Sequence, residues 1–310
     1  MCAQSLHFVN LDTSGVSSKG KASAGIRKEL LRWFNARDVP ADEISLDQAL
    51  SMPKREDGTH YALLFYNELS LVKRRRVSWL ERQESKLESL GFTILHSAKQ
   101  GSVIGVKSKQ HRVLTNGGVP MPSLEQGRTQ KRVFSNAESA AHVETMVLEP
   151  NEELSEDRYN TELINTVYAH KGIDYYVCLR SQCVGTDEVC TWVRARPVSD
   201  GVASVHTRDT PVDAALITDL HERLVVPNRR QLKRIARRVG RTLGFGFYCH
   251  DILPCASSGK LFVCETNFKF YDGNYRFHLR PIAANHPVPQ LFSAHSFART
   301  LFRSAYKQLT

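Results

Sequence analysis

The chain has 310 residues, of which 41% are hydrophobic and 24% are charged. A chain of this length exceeds a typical single domain, so we expect two or three packed subdomains. The composition excludes an intrinsically disordered protein. The formal net charge of +10 indicates attraction to an anion, whether a nucleotide, an acidic substrate or a nucleic acid.

The opening residues MCAQSLHFVNLDTSG lack a basic start followed by an uninterrupted apolar run, and no segment approaches the roughly 18 apolar residues of a membrane span. The seven cysteines are odd in number and never stand in C-x-x-C spacing, which favours reduced, buried thiols. We therefore predict a cytoplasmic protein with no membrane partner.

The first part of the chain alternates between strand-like and helix-like stretches. LHFVNLD, HYALLFYNEL and GFTILHS are strand candidates, while residues 21–36 and 71–90 have the apolar spacing of helices. Strands that alternate with helices are typical of a parallel sheet. We predict a small α/β domain over residues 1–98.

The middle of the chain is assigned to a central subdomain over residues 99–162. SVIGVKSKQHRVLTNGGVPMPS is predicted to form a strand, then a short helix that ends at Gly117 and Gly118, then an extended segment fixed by Pro120 and Pro122. Residues 123–160 are poor in apolar content and give no clear pattern.

From Leu163 the pattern changes to β, and residues 163–310 are assigned to a C-terminal subdomain. LINTVYA, DYYVCLRSQCVG and EVCTWVRARPV are separated by turn residues, as expected for antiparallel strands. Residues 228–243 predict an amphipathic helix with a basic outer face, and such a face is usually just solvated. The hairpin FGFYCHDILPCASSGKLFVCETNFKF follows.

This hairpin carries the sharpest chemical signal. A turn at residues 257–259 places Asp251 opposite Glu265, and Asn267 lies two residues further on the same face. Two opposed carboxylates repel each other unless a cation lies between them. The oxygen-only set suits Mg²⁺ or Mn²⁺, which shares its coordination with phosphate oxygens. The alternative is three exposed polar residues on the wet face of a hairpin.

LGFGFYCHDILPCASSGKLFVCETN resembles the ATP-grasp superfamily, which includes D-alanine–D-alanine ligase and glutathione synthetase. The family pattern is a helix, Leu-Gly, a strand with a metal-binding Asp, and an apolar strand with Glu-x-Asn. The resemblance implies an α/β (α+β) ATP-grasp fold, in which an N-terminal α/β subdomain is followed by two α+β subdomains that clasp ATP. It also implies that Asp251, Glu265 and Asn267 hold Mg²⁺ ions bridging the ATP phosphates.

Two further segments extend the resemblance. KSKQHRVLTNGGVPMPS is similar to the family segment in which a lysine precedes a helix, which implies that Lys107, or Lys109 as the alternative, contacts a phosphate. LINTVYAHKGIDYYVCLR looks like the family's hinge and following strand, which implies a ribose or loop contact at Asp174. The implied adenine hinge, which acts through backbone groups, consists of Ile164, Asn165 and Thr166.

Arg194 and Arg196 alternate on one face of TWVRARP. The resemblance implies that they lie beside the transferred phosphoryl group or a substrate carboxylate, and planar guanidinium groups suit either anion. It also implies a substrate-binding role for His206 and, ranked lower, Arg180. The alternatives are exposed strand arginines and a structural histidine.

The sequence departs from the family at the expected lid. Most of the superfamily carries a second lysine and a glycine-rich loop over the phosphates, whereas KRVFSNAESAAHVETMV has Ser135 or Asn136 at that lysine position and no glycine in SNAESAAHVE. Without glycine a loop brings backbone N–H groups to phosphates less freely. A shortened lid, the start of a helix at SAAH, or Lys131 would have to compensate.

The sequence thus predicts an ATP- and Mg²⁺-dependent ligase of the ADP-forming type, joining a small-molecule carboxylate to an amine, for instance an amino acid or peptide. One rival is a kinase or phosphotransferase on the same fold. The other is a non-catalytic nucleotide- or nucleic-acid-binding protein, supported by the clusters at residues 73–76 and 229–241. No aromatic residues interleave with these clusters, which argues against binding of single-stranded nucleic acid. Nucleic acid is not the expected partner. A homodimer is left open.

Overall fold

A computed structural model of the chain describes residues 5–11, 18–56, 59–66, 74–127, 130–138, 145–269 and 272–310. The strands are β1 (Ser5–Asn10), β2 (Ala41–Ser45), β3 (His60–Phe65), β4 (Phe92–Leu95), β5 (Val133–Ala137), β6 (Met146–Leu148), β7 (Arg158–Glu162), β8 (Val167–His170), β9 (Ile173–Val184), β10 (Asp187–Pro197), β11 (Phe247–Pro254) and β12 (Leu261–Phe268). The helices are α1 (Ser18–Asn35), α2 (Leu46–Leu50), α3 (Arg74–Ser89), α4 (Ala98–Ile104), α5 (Lys107–Asn116), α6 (Ala214–Leu224), α7 (Arg229–Leu243), α8 (Gly273–His278) and α9 (Ala294–Leu309).

The N-terminal sheet has four parallel strands in the order β2-β1-β3-β4. Helices between the strands bury it, as parallel sheets require, and Phe8, Leu63 and Val9 are almost fully buried. This confirms the predicted α/β sheet. Part of the predicted second helix and Lys73 of the first basic cluster lie outside the described residues.

The strand predicted at the start of SVIGVKSKQHRVLTNGGVPMPS is wrong, because residues 98–104 form helix α4. Ser97 is its N-cap: the Ser97 hydroxyl accepts from the Gln100 amide, and the Gln100 side chain accepts from the Ser97 amide. This is a capping box, and its Ser-x-x-Gln spacing was present in the sequence. A short apolar run by itself does not distinguish a strand from a buried helix.

A small antiparallel sheet in the order β6-β5-β7 occupies the middle of the chain. The predicted glycine-poor lid begins in β5, but residues 139–144, which include SAAH, lie outside the described part of the chain. The predicted domain boundaries at residues 98 and 162 fall between the sheets and stay predictions.

The C-terminal sheet is antiparallel, with the order β10-β9-β11-β12 and β8 paired beside β9. Helices α6 and α7 cover one face, where Leu220, Ile235 and Val239 pack on Leu179 and Val193. The amphipathic helix predicted at residues 228–243 is therefore confirmed, with its apolar side buried and its basic side exposed.

The last helix joins the two ends of the chain. Phe297 and Leu301 of α9 share a core with Leu30 and Phe34 of α1, and the Tyr61 hydroxyl donates to the Leu309 carbonyl at 3.1 Å. Within the part of the chain that the structure describes, no helix is long and apolar enough to cross a membrane.

Candidate active site on the C-terminal sheet

The predicted hairpin register is confirmed, since Asp251 of β11 pairs with Glu265 of β12. Asn267 pairs with Cys249 and so lies on the same face as Glu265. Asn267 Nδ2 donates to Glu265 Oε1 at 2.6 Å. The amide oxygen of Asn267 takes no part in this bond. Two carboxylates and an amide oxygen therefore share one patch of the sheet.

A β-bulge produces this arrangement. From the turn outward, Ile252 pairs with Val263, and an unbroken register would set Asp251 opposite Cys264. The bulge inserts Cys264 as an extra residue on β12. Val263 belongs to the core beneath α7, and without the bulge Glu265 would point to that same side. The extra residue turns Glu265 to the opposite face, next to Asp251.

Two arginines from neighbouring strands neutralise Asp251. Arg194 Nη2 lies 3.0 Å from Asp251 Oδ1, and Arg180 Nε lies 3.3 Å from the same oxygen. All three side chains are largely buried. Burial alone would raise the pKa of Asp251, but the positive charges of Arg180 and Arg194 outweigh it and hold that pKa below its ordinary value.

Lys269 and Asp272 continue this ionic cluster, and sequence reasoning missed both. Arg180 Nη1 lies 3.2 Å from Asp272 Oδ2, and Lys269 Nζ lies 3.9 Å from it. Burial raises the pKa of Asp272, but Arg180 and Lys269 bring it down to about 2. Asp272 also accepts from the Tyr275 amide as the N-cap of α8. The sequence did contain a signal for Lys269: it lies two residues after Asn267, which places the two side chains on the same face of a strand.

The oxygen ligands and hydrogen-bond donors of this cluster suit a divalent cation with a bound phosphate. Arg194 Nε is buried without a hydrogen-bond partner in the described structure, so it has a donor to offer an anion. Among the described residues, no three His, Cys, Asp or Glu side chains form a group that could hold a metal ion. A cation would therefore depend on two carboxylates, Asp251 and Glu265, together with the amide oxygen of Asn267. Oxygen ligands of this kind fit Mg²⁺ held partly by phosphate and water.

Helix α5 fixes the strand that carries two of these ligands. Gln110 Nε2 donates to the Thr266 carbonyl at 2.8 Å, and the Thr266 amide donates to Gln110 Oε1 at 2.8 Å. Thr266 lies between Glu265 and Asn267 on the outer strand of the sheet. The Gln110 side chain thus forms the hydrogen bonds that a further strand would form beside β12. These bonds fix the backbone between the two ligands.

The two candidate phosphate lysines differ in position. Lys109 Nζ donates to Ser102 Oγ at 2.8 Å and is directed to α4. Lys107 lies close enough to β12 that its charge acts on Cys264: burial raises the pKa of that thiol, and Lys107 opposes the rise. The charge of Lys107 thus acts on the residue next to Glu265, whereas the Lys109 amino group contacts Ser102.

The predicted adenine hinge lies between β7 and β8. The Asn165 carbonyl accepts from the Ala256 amide, and the Thr166 carbonyl accepts from the Val177 amide. Ile164 and Thr166 are buried. Asp174 is exposed at the far end of β9, about 20 Å along the strand from Arg180, so the structure does not bring it to the ionic cluster.

Arg196 and the backbone of His206 contact carboxylates other than Asp251. Arg196 pairs with Asp200 at 3.0 Å and with Asp209 at 3.3 Å, and the exposed His206 donates its backbone amide to Asp209 Oδ2 at 2.7 Å. Of the two arginines predicted on β10, only Arg194 joins the candidate site.

Near the predicted lid, Arg158 contacts Ser135, one of the two residues at the predicted position of the second lysine. Arg158 Nε of β7 donates to Ser135 Oγ at 2.7 Å, and Arg158 Nη2 donates to the Ser135 carbonyl at 3.3 Å. No pattern in the sequence predicted this contact, because Arg158 lies on the neighbouring strand, 23 residues away.

No protein-family model matches the sequence, and neither does any curated protein. Solved structures do match the fold. The ATP-grasp ligase PsnB, solved with a phosphomimetic variant of its minimal precursor, Mg and ADP, matches with TM-score 0.51 and 12% identity over 98% of this chain and 98% of its own. D-alanine–D-alanine ligase from Bacillus anthracis, solved with ATP, matches with TM-score 0.50 and 9% identity over 100% of this chain and 98% of its own.

The biotin carboxylase domain of Hydrogenobacter thermophilus 2-oxoglutarate carboxylase, solved with MgADP and bicarbonate, matches with TM-score 0.50 and 13% identity over 99% of this chain and 70% of its own. The chain therefore has the ATP-grasp fold. The ATP-grasp fold implied by the hairpin sequence is confirmed.

Proposed function

We propose that this protein is an ATP- and Mg²⁺-dependent ligase of the ADP-forming type. A carboxylate oxygen of the acid substrate attacks the γ-phosphorus of ATP, and the bond from that phosphorus to ADP breaks. The amine then attacks the acyl carbon, phosphate leaves, and the amine nitrogen loses a proton to give an amide. Such phosphoryl transfer needs positioning and charge stabilisation more than covalent help from the protein.

The chain's own residues supply these two requirements. Asp251, Glu265 and Asn267 would hold the metal, which would neutralise phosphate charge when bound. Arg194 donates to the transferred phosphoryl group through its Nε, which has no hydrogen-bond partner among the described residues. Arg180 holds Asp251 in place and lies beside the substrate carboxylate.

The nucleotide extends from these ligands towards the hinge. Lys107 contacts its phosphates, and residues 164–166 meet the adenine through backbone groups. Asp174 remains a candidate ribose or loop contact, and His206 a candidate substrate contact. Arg196 receives no role in charge stabilisation, because Asp200 and Asp209 occupy its guanidinium.

One observation carries the proposal: the bulged pairing of Asp251 with Glu265 places two carboxylates and an amide oxygen next to two buried guanidinium groups. A metal–nucleotide complex requires oxygen ligands for its cation and, beside them, hydrogen-bond donors for its phosphates. The likeness to ligases of the same fold supports this proposal.

The test is product analysis. The protein is incubated with ATP, Mg²⁺ and a panel of small acids and amines, and we expect ADP, phosphate and an amide whose mass equals acid plus amine minus water. AMP and pyrophosphate would contradict this reaction type. A stable phosphorylated product that forms without amine would identify a kinase, and binding of ATP without ADP formation would identify a nucleotide sensor. The Glu265→Gln protein is the blank.

A further inference from the structure

The outer face of α7 is a continuous cationic surface. The helix has 15 residues and no acidic side chain. Every cation on it is exposed. These cations are Arg229, Arg230, Lys233, Arg234, Arg237, Arg238 and Arg241.

Within the described ranges, none of the α7 cations forms an ion pair with a carboxylate. Glu188 of β10 lies within electrostatic reach: burial raises its pKa, and the charges of Lys233 and Arg229 oppose the rise. Arg238 donates to the backbone carbonyl of Gly118. One carboxylate does not balance seven cations, so most of the counter-charge comes from outside the described structure.

The candidate active site does not account for these cations. The apolar side of α7 packs on the face of the sheet that carries Leu179 and Val193. Arg180 and Arg194 are the next residues on the same strands, so they point to the opposite face. The sheet and a helix about 10 Å thick separate a nucleotide at Asp251 from the cationic surface.

The composition of the surface indicates which anion it binds. Its apolar side is buried in the core, so α7 cannot insert into a membrane as an interfacial helix does. It exposes no large hydrophobic or aromatic residue, although protein interfaces depend on such anchors and single-stranded nucleic acid stacks on aromatic rings. Binding to the phosphate backbone of a duplex needs only charge, and arginine suits phosphate best.

The spacing of the cations agrees with such a backbone. Arg230, Arg234, Arg237 and Arg241 follow one line along the helix, three or four residues apart, which is about 4.5 to 6 Å of rise at each step. A duplex carries one phosphate charge for about every 1.7 Å of its axis when both strands are counted, or about every 3.4 Å on one strand. The arginines are therefore spaced more widely than the phosphates of a single strand. We propose that α7 binds the phosphate backbone of double-stranded nucleic acid without reading its sequence.

The test compares two variants of equal net charge. In the first, Arg230, Arg234, Arg237 and Arg241 are all replaced by Gln. In the control, four exposed cations of α3 and α9 that form no ion pair with a described residue are replaced by Gln: Arg82, Lys86, Arg303 and Lys307. Affinity for a labelled duplex of about two helical turns is measured between about 50 and 200 mM salt with Mg²⁺-ATP present.

We expect the parent protein and the control to bind with the same steep salt dependence. The α7 variant should bind at least about tenfold more weakly, and its slope of log K against log salt should flatten by up to about 3.6, at roughly 0.9 for each phosphate that is no longer neutralised. Two double variants, R230Q with R234Q and R237Q with R241Q, should each give about half of that change. They keep the test valid if the fourfold variant folds poorly.

Three results would overturn the inference. The first is a parent protein without salt-dependent binding at the lowest salt. The second is a control that binds as weakly as the α7 variant. The third is competition by poly-glutamate as strong as that by the duplex at equal charge, which would assign the surface to an acidic protein. None of these outcomes depends on ligase activity, because ATP turnover is measured separately on the same proteins.

Discussion

Asp251 and Glu265 are paired across the hairpin, yet they have different surroundings. Asp251 is the counter-ion of two buried arginines, whereas Glu265 accepts a hydrogen bond from Asn267 and forms no ion pair with any described residue. Removal of one partner of a buried ion pair leaves an uncompensated charge. The two predicted metal ligands should therefore differ in what they contribute to stability.

We predict that Asp251→Asn and Glu265→Gln each abolish Mg²⁺-dependent ATP binding, but that only Asp251→Asn destabilises the fold strongly. The free energy of unfolding should fall by about 3 to 5 kcal/mol for Asp251→Asn and by about 1 kcal/mol or less for Glu265→Gln. Calorimetric titration with Mg²⁺-ATP and urea unfolding measure the two effects.

Asp187→Asn, a change of the same type on β10 outside the ionic cluster, is the control and should leave both quantities unchanged. If Glu265→Gln binds Mg²⁺-ATP as well as the parent, the metal assignment on the hairpin is wrong.

At the scale of single residues, the sequence predicted the ligands that lie on one hairpin but not the residues that surround them. Asp251, Glu265 and Asn267 are close in sequence, so strand pairing alone relates them. Lys269 was within reach of the same argument, but the contact of Asp272 with Arg180 joins the start of α8 to β9, and only the fold brings these two elements together.

At the scale of elements, Gln110 links α5 to β12, and we predict that it positions the ligands without touching a substrate. Gln110→Ala would leave the Thr266 amide and carbonyl buried without partners, at a cost of about 1 to 3 kcal/mol for each group. The movement of Glu265 and Asn267 should weaken Mg²⁺-ATP binding while the metal-independent part of nucleotide binding is retained.

The measurement is nucleotide affinity with Mg²⁺ and with EDTA, because a merely structural residue would lower both equally. Gln231→Ala removes the same amide from α7, where it contacts Asn228, and serves as the control. Equal losses with and without metal would contradict a positioning role for Gln110.

The stability of the fold should depend on pH through Glu84. Burial raises the pKa of Glu84 on α3 from 4.5 to about 7, against the opposing effect of the Ala98 amide that donates to it at the start of α4. The folded state therefore binds this proton more tightly than the unfolded state. Stability from Glu84 is present below pH 4.5 and is lost as the pH rises to about 7.

Glu84→Gln should remove that loss, so the fall in Tm between about pH 5 and pH 8 should be smaller than in the parent. Glu222→Gln, an exposed change on α6, should leave the parent profile unchanged. The measurement is a thermal melt at about pH 5 and about pH 8. Identical profiles for Glu84→Gln and the parent would refute the assignment of this pH dependence to Glu84.

Element types were predictable where the apolar period was long or the turn was clear, as for the parallel N-terminal strands, for α7 and for the hairpin. The bulge at Cys264 was not predictable, because nothing in VCETN distinguishes an inserted residue from a paired one. The predicted pairing of Asp251 with Glu265 is correct because of this bulge, since the register at the turn alone leads to Cys264.

At the scale of the whole molecule, α9 makes the N-terminal and C-terminal parts depend on each other. No role was predictable for residues 271–310, because their apolar pattern does not say which surface they cover. In the structure, Leu301 is fully buried in a core shared with Leu30 and Phe34 of α1 and Trp192 of β10. A substitution at one end of the chain should therefore weaken elements at both ends.

We predict that Leu301→Ala lowers the free energy of unfolding by about 2 to 5 kcal/mol, and that amide exchange accelerates in residues 24–35 as well as in α9. Arg303→Ala, on the exposed side of the same helix, should change stability by no more than about 0.5 kcal/mol. Urea unfolding and hydrogen-exchange mass spectrometry give the two readouts. Because the shared core couples α1 to α9, faster exchange confined to α9 would show instead that the C-terminal helix detaches by itself.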